Sequence, residues 1–274
     1  MVLTPAPKER PAILAPARTG EPSVLELITD LYQGLARLGP GSEAATLQAL
    51  ALAEAAGLSR QAPLHVADLG CGTGAATWVL AQSLSGTITA IDQQPAFLSA
   101  LRMRRPRTPL LASVVTHAAD FSELPFPRES LDLIWSEGAI YTLGFAAGLA
   151  AWRPFLKERA FLAVTELTWL TDFRAEPLQA FWDKAYPEVG TASTKFAILE
   201  QQGFRPLGYF PLPTPCWLEG FYEPLEASLP AFLARHGSRA EAETLAREVR
   251  EEAALYRRFG DQVGYGFYVA QRLP

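Results

Sequence analysis

Four carboxylates and a run of glycines carry the chemistry this sequence offers. The stretch Asp68-Leu69-Gly70-Cys71-Gly72-Thr73-Gly74 sets three glycines in five positions, directly behind the apolar segment His65-Val66-Ala67. Glycine admits φ > 0 and lets a ligand come against the backbone with no Cβ in the way. One glycine would serve a tight turn; three with an acid in front of them point to a ligand. Asp92 closes the next apolar segment, 18 residues beyond Gly74. That is near the spacing at which a dinucleotide-binding unit places its ribose-gripping acid, and a carboxylate there can accept from both ribose hydroxyls. Asp120 and Glu137 stand after two further apolar runs. Cys71 fits inside the glycine loop as a small residue rather than a nucleophile. His65 reads as a strand-edge histidine, and His117 as either a base or a structural histidine. Neither Cys71 nor Cys216 belongs to a CxxC or Cys/His cluster, so no metal site is expected.

These residues need a frame. From residue 64 onward, strand-like runs at 64–69, 87–92, 113–118, 131–136 and 161–167 alternate with helical segments near 73–84, 95–105 and 144–155. Apolar strands alternating with helices predict a parallel sheet covered on both faces. Before this region, Val24, Leu27, Ile28, Leu31, Leu35 and Leu38 recur at helical spacing, from a cap at Ser23 to a stop at Gly39-Pro40. A second helix follows Ser42, with Leu47, Leu50 and Ala51 on its inward face, and ends near Gly57. Beyond residue 170 the pattern is less regular. Helices are expected near 176–185 and 191–202, a strand at 206–210, and an aromatic, irregular insertion over 213–237. A charged helix over 238–259 turns Leu245, Val249 and Tyr256 inward, and a last strand spans 264–273. The domain reading is a loose tail over 1–20, N-terminal helices over 21–60 that can form a lid, and a main domain over 61–274.

Bulk composition narrows the function. The chain has 274 residues, 49% of them hydrophobic and 19% charged, with a net charge of −5. That permits a substantial core and argues against a nucleic-acid partner, which requires a basic surface. No signal-peptide segment and no apolar run near the roughly 20 residues of a membrane span is found. The expectation is a cytoplasmic protein with no membrane partner, a monomer or homodimer.

The loop is GxGxG preceded by an acid, and it resembles motif I of the class I S-adenosylmethionine-dependent methyltransferases. The resemblance continues in order through Asp92, through Ala119-Asp120-Phe121 with Leu124-Pro125-Phe126, and through Asp132 to Glu137. It covers residues 64–170. It implies a Rossmann-like α/β fold: a seven-stranded, mostly parallel sheet with helices on both faces and an antiparallel last strand. It implies S-adenosylmethionine as cofactor, held by Asp68, Gly70, Cys71, Gly72, Thr73, Gly74, Asp92, Gln93, Asp120, Phe121, Ser136 and Glu137. Within these, Asp68 would meet the cofactor's amino group, Asp92 the ribose and Asp120 the adenine amine. The segment WSEGAIY, Trp135–Tyr141, is similar to a small-molecule subgroup known mainly from uncharacterised bacterial proteins. One departure is Leu156-Lys157-Glu158-Arg159-Ala160, where many relatives read LKPGG.

Methyl transfer is an in-line displacement whose main demands are proximity and exclusion of water. Glu137 and His117 are the candidates to assist as catalytic groups. Tyr141, Trp169, Trp217 and Tyr32 are the candidates to line the pocket of a small-molecule acceptor. Two alternatives stay open: a nicotinamide-dependent oxidoreductase and a non-catalytic cofactor-binding protein.

Overall fold

A computed structural model describes residues 24–274; the expected tail over 1–20 and the cap at Ser23 lie outside them. The elements run α1 (Val24–Tyr32), α2 (Glu43–Ala55), β1 (Leu64–Leu69), α3 (Ala75–Ser83), β2 (Gly86–Asp92), α4 (Pro95–Met103), β3 (Ala112–Ala118), β4 (Leu131–Ser136), α5 (Phe145–Trp152) and β5 (Leu156–Trp169). They continue with α6 (Glu176–Ala185), β6 (Gly190–Thr191), α7 (Ala192–Gln201), β7 (Phe204–Pro211), α8 (Thr214–Trp217), α9 (Glu223–His236), α10 (Ala240–Phe259) and β8 (Val263–Arg272). The sheet order is β3-β2-β1-β4-β5-β8-β7. Strands β1 to β5 are parallel, and β8 runs antiparallel to both β5 and β7. This is the Rossmann-like sheet expected, with one addition: the two-residue strand β6 pairs with the end of β5.

Period-2 alternation sorts the core. Val66, Leu133, Trp135, Ala163 and Val269 face one layer, which packs on α1, α2, α3, α6 and α8–α10. Ala67, Ile134, Leu162 and Tyr268, their neighbours along the strands, face α5 and α7. A continuous apolar strand with both faces buried is what a covered parallel sheet requires.

Three readings need correction. Helix α1 stops at Tyr32, not at Gly39. Side chains capture the backbone beyond it: Arg104 donates to the carbonyls of Gln33, Gly34 and Leu35, and Thr73 Oγ1 donates to those of Leu35 and Ala36. Helix α2 begins at its Ser42 cap, whose hydroxyl accepts from Ala45 N at 3.1 Å. Its buried face, however, is Ala45, Thr46, Ala49, Leu50 and Ala53, while Ala51 is exposed. Residues 213–237 are helical rather than irregular. Pro215 sits in the first turn of α8, where a missing N–H does no harm; the helical turn Leu218–Tyr222 runs on into α9, whose Leu225, Leu229 and Phe232 pack inward.

The LKERA departure lies in β5 itself. Leu131 pairs with Leu156 and Leu133 with Phe161, so β5 carries extra residues as a bulge. Arg159 takes φ 61° there, a conformation that a glycine would adopt without strain.

Candidate active site

The strand order reverses between β1 and β4, and in open α/β sheets ligands bind at the carboxyl ends of strands beside such a reversal. A cleft of about 580 Å³ lies there, within the range of small-molecule sites. The glycine loop forms its floor. Gly70 and Cys71 both donate to the carbonyl of Ile91, at 2.9 and 3.0 Å, and Gly74 donates to Cys71 O at 3.0 Å. All three glycines have positive φ: 71°, 54° and 89°. A Cβ on Gly70 would stand 2.2 Å from Ala139 Cβ, and one on Gly72 2.8 Å from Leu38. These positions therefore need glycine both for conformation and for space.

Two carboxylates brace this floor. Asp92 Oδ2 accepts from Gly72 N at 2.9 Å, and Oδ1 from Gln94 N at 2.8 Å. Each oxygen keeps a second lone pair toward the cleft, and burial pushes the pKa up. Asp68 accepts from Thr77 Oγ1 at 2.5 Å and is 1% exposed; burial pushes its pKa up to about 7. Asp120 is exposed at the rim. It accepts from Ser122 N at 2.8 Å, and that bond holds its pKa down. Phe121 lies buried beside it, its carbonyl taking the indole N–H of Trp152 at 2.7 Å.

Glu137 is held by three donors: Arg37 Nη1 at 2.7 Å, Thr46 Oγ1 at 2.6 Å and Trp135 Nε1 at 3.0 Å. Arg37 and Thr46 belong to the α1–α2 region, so this carboxylate ties that region to the end of β4. Both of its oxygens are therefore engaged, Oε2 by Arg37 and Oε1 by Thr46 and Trp135.

The cleft wall includes Asp68, Gly70, Cys71, Gly72, Thr73, Asp92, Gln93, Asp120, Phe121 and Glu137 from the sequence-predicted cofactor set. Two members of that set stand outside it. Gly74 begins α3 and packs on Leu101, and Ser136 donates to Leu69 O at 2.9 Å, bracing β4 against β1. Tyr32 and Tyr141 reach the cleft. Trp217 lines a smaller adjoining cavity that Tyr141 also reaches. His117 does not line the cleft, because its position on β3 leaves it exposed at a sheet edge. Trp169 lies in the core with the Arg174 guanidinium 4.7 Å over its ring, so it lines neither cavity. Burial pushes the Cys71 thiol pKa well up, which leaves it inert as a nucleophile.

Sequence reasoning missed Arg37, Thr46 and Glu252. Arg37 and Thr46 carry no motif. Glu252 does carry a signal: it falls on the inward stripe Leu245, Val249, Tyr256 of α10, a carboxylate where the helix is otherwise apolar.

Residues 66–159 match the family model for a methyltransferase domain. These residues form a class I methyltransferase domain. Over 82 residues the chain is 38% identical to a trans-aconitate 2-methyltransferase of Delftia acidovorans, a match that spans 29% of this chain and 29% of that protein. Solved structures resemble the methyltransferase domain with its flanking elements over most of the chain. A methyltransferase from Geobacter sulfurreducens in complex with S-adenosyl-L-homocysteine superposes with a TM-score of 0.72 at 15% identity, covering 90% of this chain and 97% of that one. YjhP from E. coli gives 0.70 at 17% identity, covering 90% and 99%. The cyclase SpnF gives 0.65 at 19% identity, covering 91% and 92%. At these identities the likeness is one of fold, and the cyclase among them is a reminder that fold alone does not set the chemistry.

Proposed function

We propose that the chain is an S-adenosylmethionine-dependent methyltransferase acting on a small molecule, of the subgroup that WSEGAIY resembles. The observation that carries this is the cleft wall: within the methyltransferase domain it joins a left-handed glycine floor to Asp92, Asp68 and Asp120. Its charge set fits the cofactor. Among the described residues four carboxylates line the cleft, and Arg37 is the one cation. That suits a ligand with positive sulfonium and ammonium centres and a single carboxylate. The guanidinium has five N–H donors, which leaves some for a ligand beyond those given to Glu137 and Thr46.

When bound, S-adenosylmethionine supplies an electrophilic methyl carbon on a good leaving group. The residues of this chain hold and shield it. Asp92 offers paired acceptors for the ribose hydroxyls, Asp68 an acceptor for the amino group, and Asp120 with Phe121 the adenine contacts. Segment 33–46, held down by Thr73, Arg104 and Glu137, acts as the lid that keeps water out. Catalysis rests on proximity and desolvation. Glu137 is occupied by three donors and His117 lies outside the wall, so neither serves as an essential base. The double variant Glu137→Gln/His117→Ala is expected to keep turnover once saturated with cofactor.

The test is calorimetric titration of the full chain with S-adenosylmethionine and, separately, with NADH. Saturable binding of the first and not the second is expected, with at least tenfold weaker binding in Asp92→Ala. NADH binding alone would overturn the proposal.

A further inference from the structure

The small cavity beside the cleft measures about 60 Å³, several times the roughly 10–15 Å³ that admits one water. It shares Gly138 and Tyr141 with the cleft wall. Phe181, Trp182, Trp217, Phe221 and Tyr265 enclose it together with Tyr141. Among the described residues Glu252 is its one carboxylic acid, and no lysine, arginine or histidine lines it.

Glu252 has no counter-charge in this setting. Tyr222 Oη donates to its Oε1 at 2.8 Å, but no ion pair among the described residues includes it. The charge that acts on it is that of Glu248, one turn away and of like sign, and burial with this repulsion pushes its pKa up to about 7. A carboxylate in an aromatic box is costly unless a cation comes to it. The indole N–H groups of Trp182 and Trp217 are buried with no hydrogen-bond partner, where nearly all such groups have one.

We propose that this cavity receives the head of the methyl acceptor, and that the acceptor is a small aliphatic amine bound as its ammonium by Glu252 and the surrounding rings, with an oxygen acceptor on its short chain. For transfer the ammonium would give one proton to the Glu252 carboxylate, and the nitrogen lone pair so freed would form the new N–C bond as the bond from the methyl carbon to sulfur breaks. Each part of the box matches one part of that ligand. The carboxylate neutralises the ammonium. Aromatic faces attract a cation, the more strongly when it is desolvated. A ligand oxygen satisfies an indole N–H. An anionic acceptor would meet Glu252 with no cation to offset the repulsion. The role as acceptor pocket rests on the methyl-transfer reading; recognition of an ammonium group does not.

The experiment pairs ligands of like shape and different charge. The full chain, with and without S-adenosylhomocysteine, is titrated at pH 7.5 with 2-dimethylaminoethanol against 3-methylbutan-1-ol, and with tert-butylammonium against tert-butanol. Calorimetry and tryptophan fluorescence report binding. Saturable binding of the ammonium compounds, at least tenfold tighter than their alcohols, is expected. Glu252→Gln, isosteric and relieved of the buried charge, abolishes the discrimination while S-adenosylhomocysteine binds within twofold of wild type. Trp182→Leu, which removes one aromatic face, narrows the preference for ammonium over alcohol at least threefold. Equal binding of amine and alcohol, no amine binding, or discrimination that survives Glu252→Gln overturns the proposal. Discrimination without S-adenosylhomocysteine binding would leave the ammonium site standing and remove the methyl-transfer reading. S-adenosylhomocysteine binding without discrimination would do the reverse.

Discussion

Replacing Glu137 by Gln separates a positioning carboxylate from a catalytic one. In the folded protein Glu137 accepts from Arg37, Thr46 and Trp135, and its side chain is 7% exposed against 13% for Arg37. Glutamine keeps an oxygen at the Oε1 position, which accepts from both Thr46 and Trp135, but turns an NH₂ toward the guanidinium. Hydrogen bonds to charged groups contribute about 1.5–3 kcal/mol, and neither partner is well screened by solvent here. The loss at the Arg37 contact is therefore about 2 kcal/mol, acting on closure of segment 33–46. If cofactor binding requires that segment closed, the dissociation constant rises by at most about 30-fold, at 1.4 kcal/mol per factor of ten. Calorimetry gives the affinity, and hydrogen exchange of residues 33–46 reports the closure. Arg37→Ala should lose at least as much, since it also removes the donors left for the cofactor's carboxylate, with the double variant no worse than Arg37→Ala alone. A dissociation constant within twofold of wild type with unchanged exchange would refute the latch. A large fall in turnover with unchanged cofactor affinity would instead mark Glu137 as part of the chemistry.

Three further outcomes follow from the frame around the site. Lys195→Met leaves Glu166 buried without its partner, a contact of 2.8 Å between side chains 1% and 0% exposed; a loss of about 3–5 kcal/mol is expected in urea unfolding, most of it recovered in Glu166→Gln/Lys195→Met. Arg159→Gly relieves the positive φ in the β5 bulge; thermal unfolding should show a gain of about 1 kcal/mol. Burial raises the folded-state pKa of Asp68 from 3.8 to about 7, so the unfolded chain releases this proton first as pH rises; the contribution is full below about pH 4 and is lost by about pH 7. Asp68→Asn, which keeps an acceptor for Thr77, should therefore lose less stability between pH 5 and 8 than wild type, and an equal loss would contradict the assignment.

The alternation of apolar strands and helices was enough to place β1 to β4 and α3 to α7 near their ends, because each such element buries its side chains at its own period; β5 begins at Leu156, five residues before the expected 161, because the charged Lys157-Glu158-Arg159 hides the start of its ladder. The glycine loop was legible for a related reason. Left-handed backbone and the absence of a Cβ are properties of glycine itself, so three of them behind a strand announce a close approach, and the spacing of Asp92 singled out an acid that lines the cleft. Residues 213–237 were harder, because proline in the first turn of a helix reads in sequence as a breaker.

What the chain by itself determined is thus the parallel sheet, the glycine floor and the acids that follow it, features written in local periodicity and short spacing. The tertiary structure alone decided the rest. It ended α1 at Tyr32, since the capping groups Thr73 and Arg104 come from elements some 40 to 70 residues away. It paired Glu137 with Arg37 across 100 residues. It set Trp169 in the core and Trp217 on a cavity, although both read equally well as pocket residues. And it brought Glu252 of α10 among rings from four other parts of the chain. Contacts of that separation depend on how the layers pack, which no local pattern encodes.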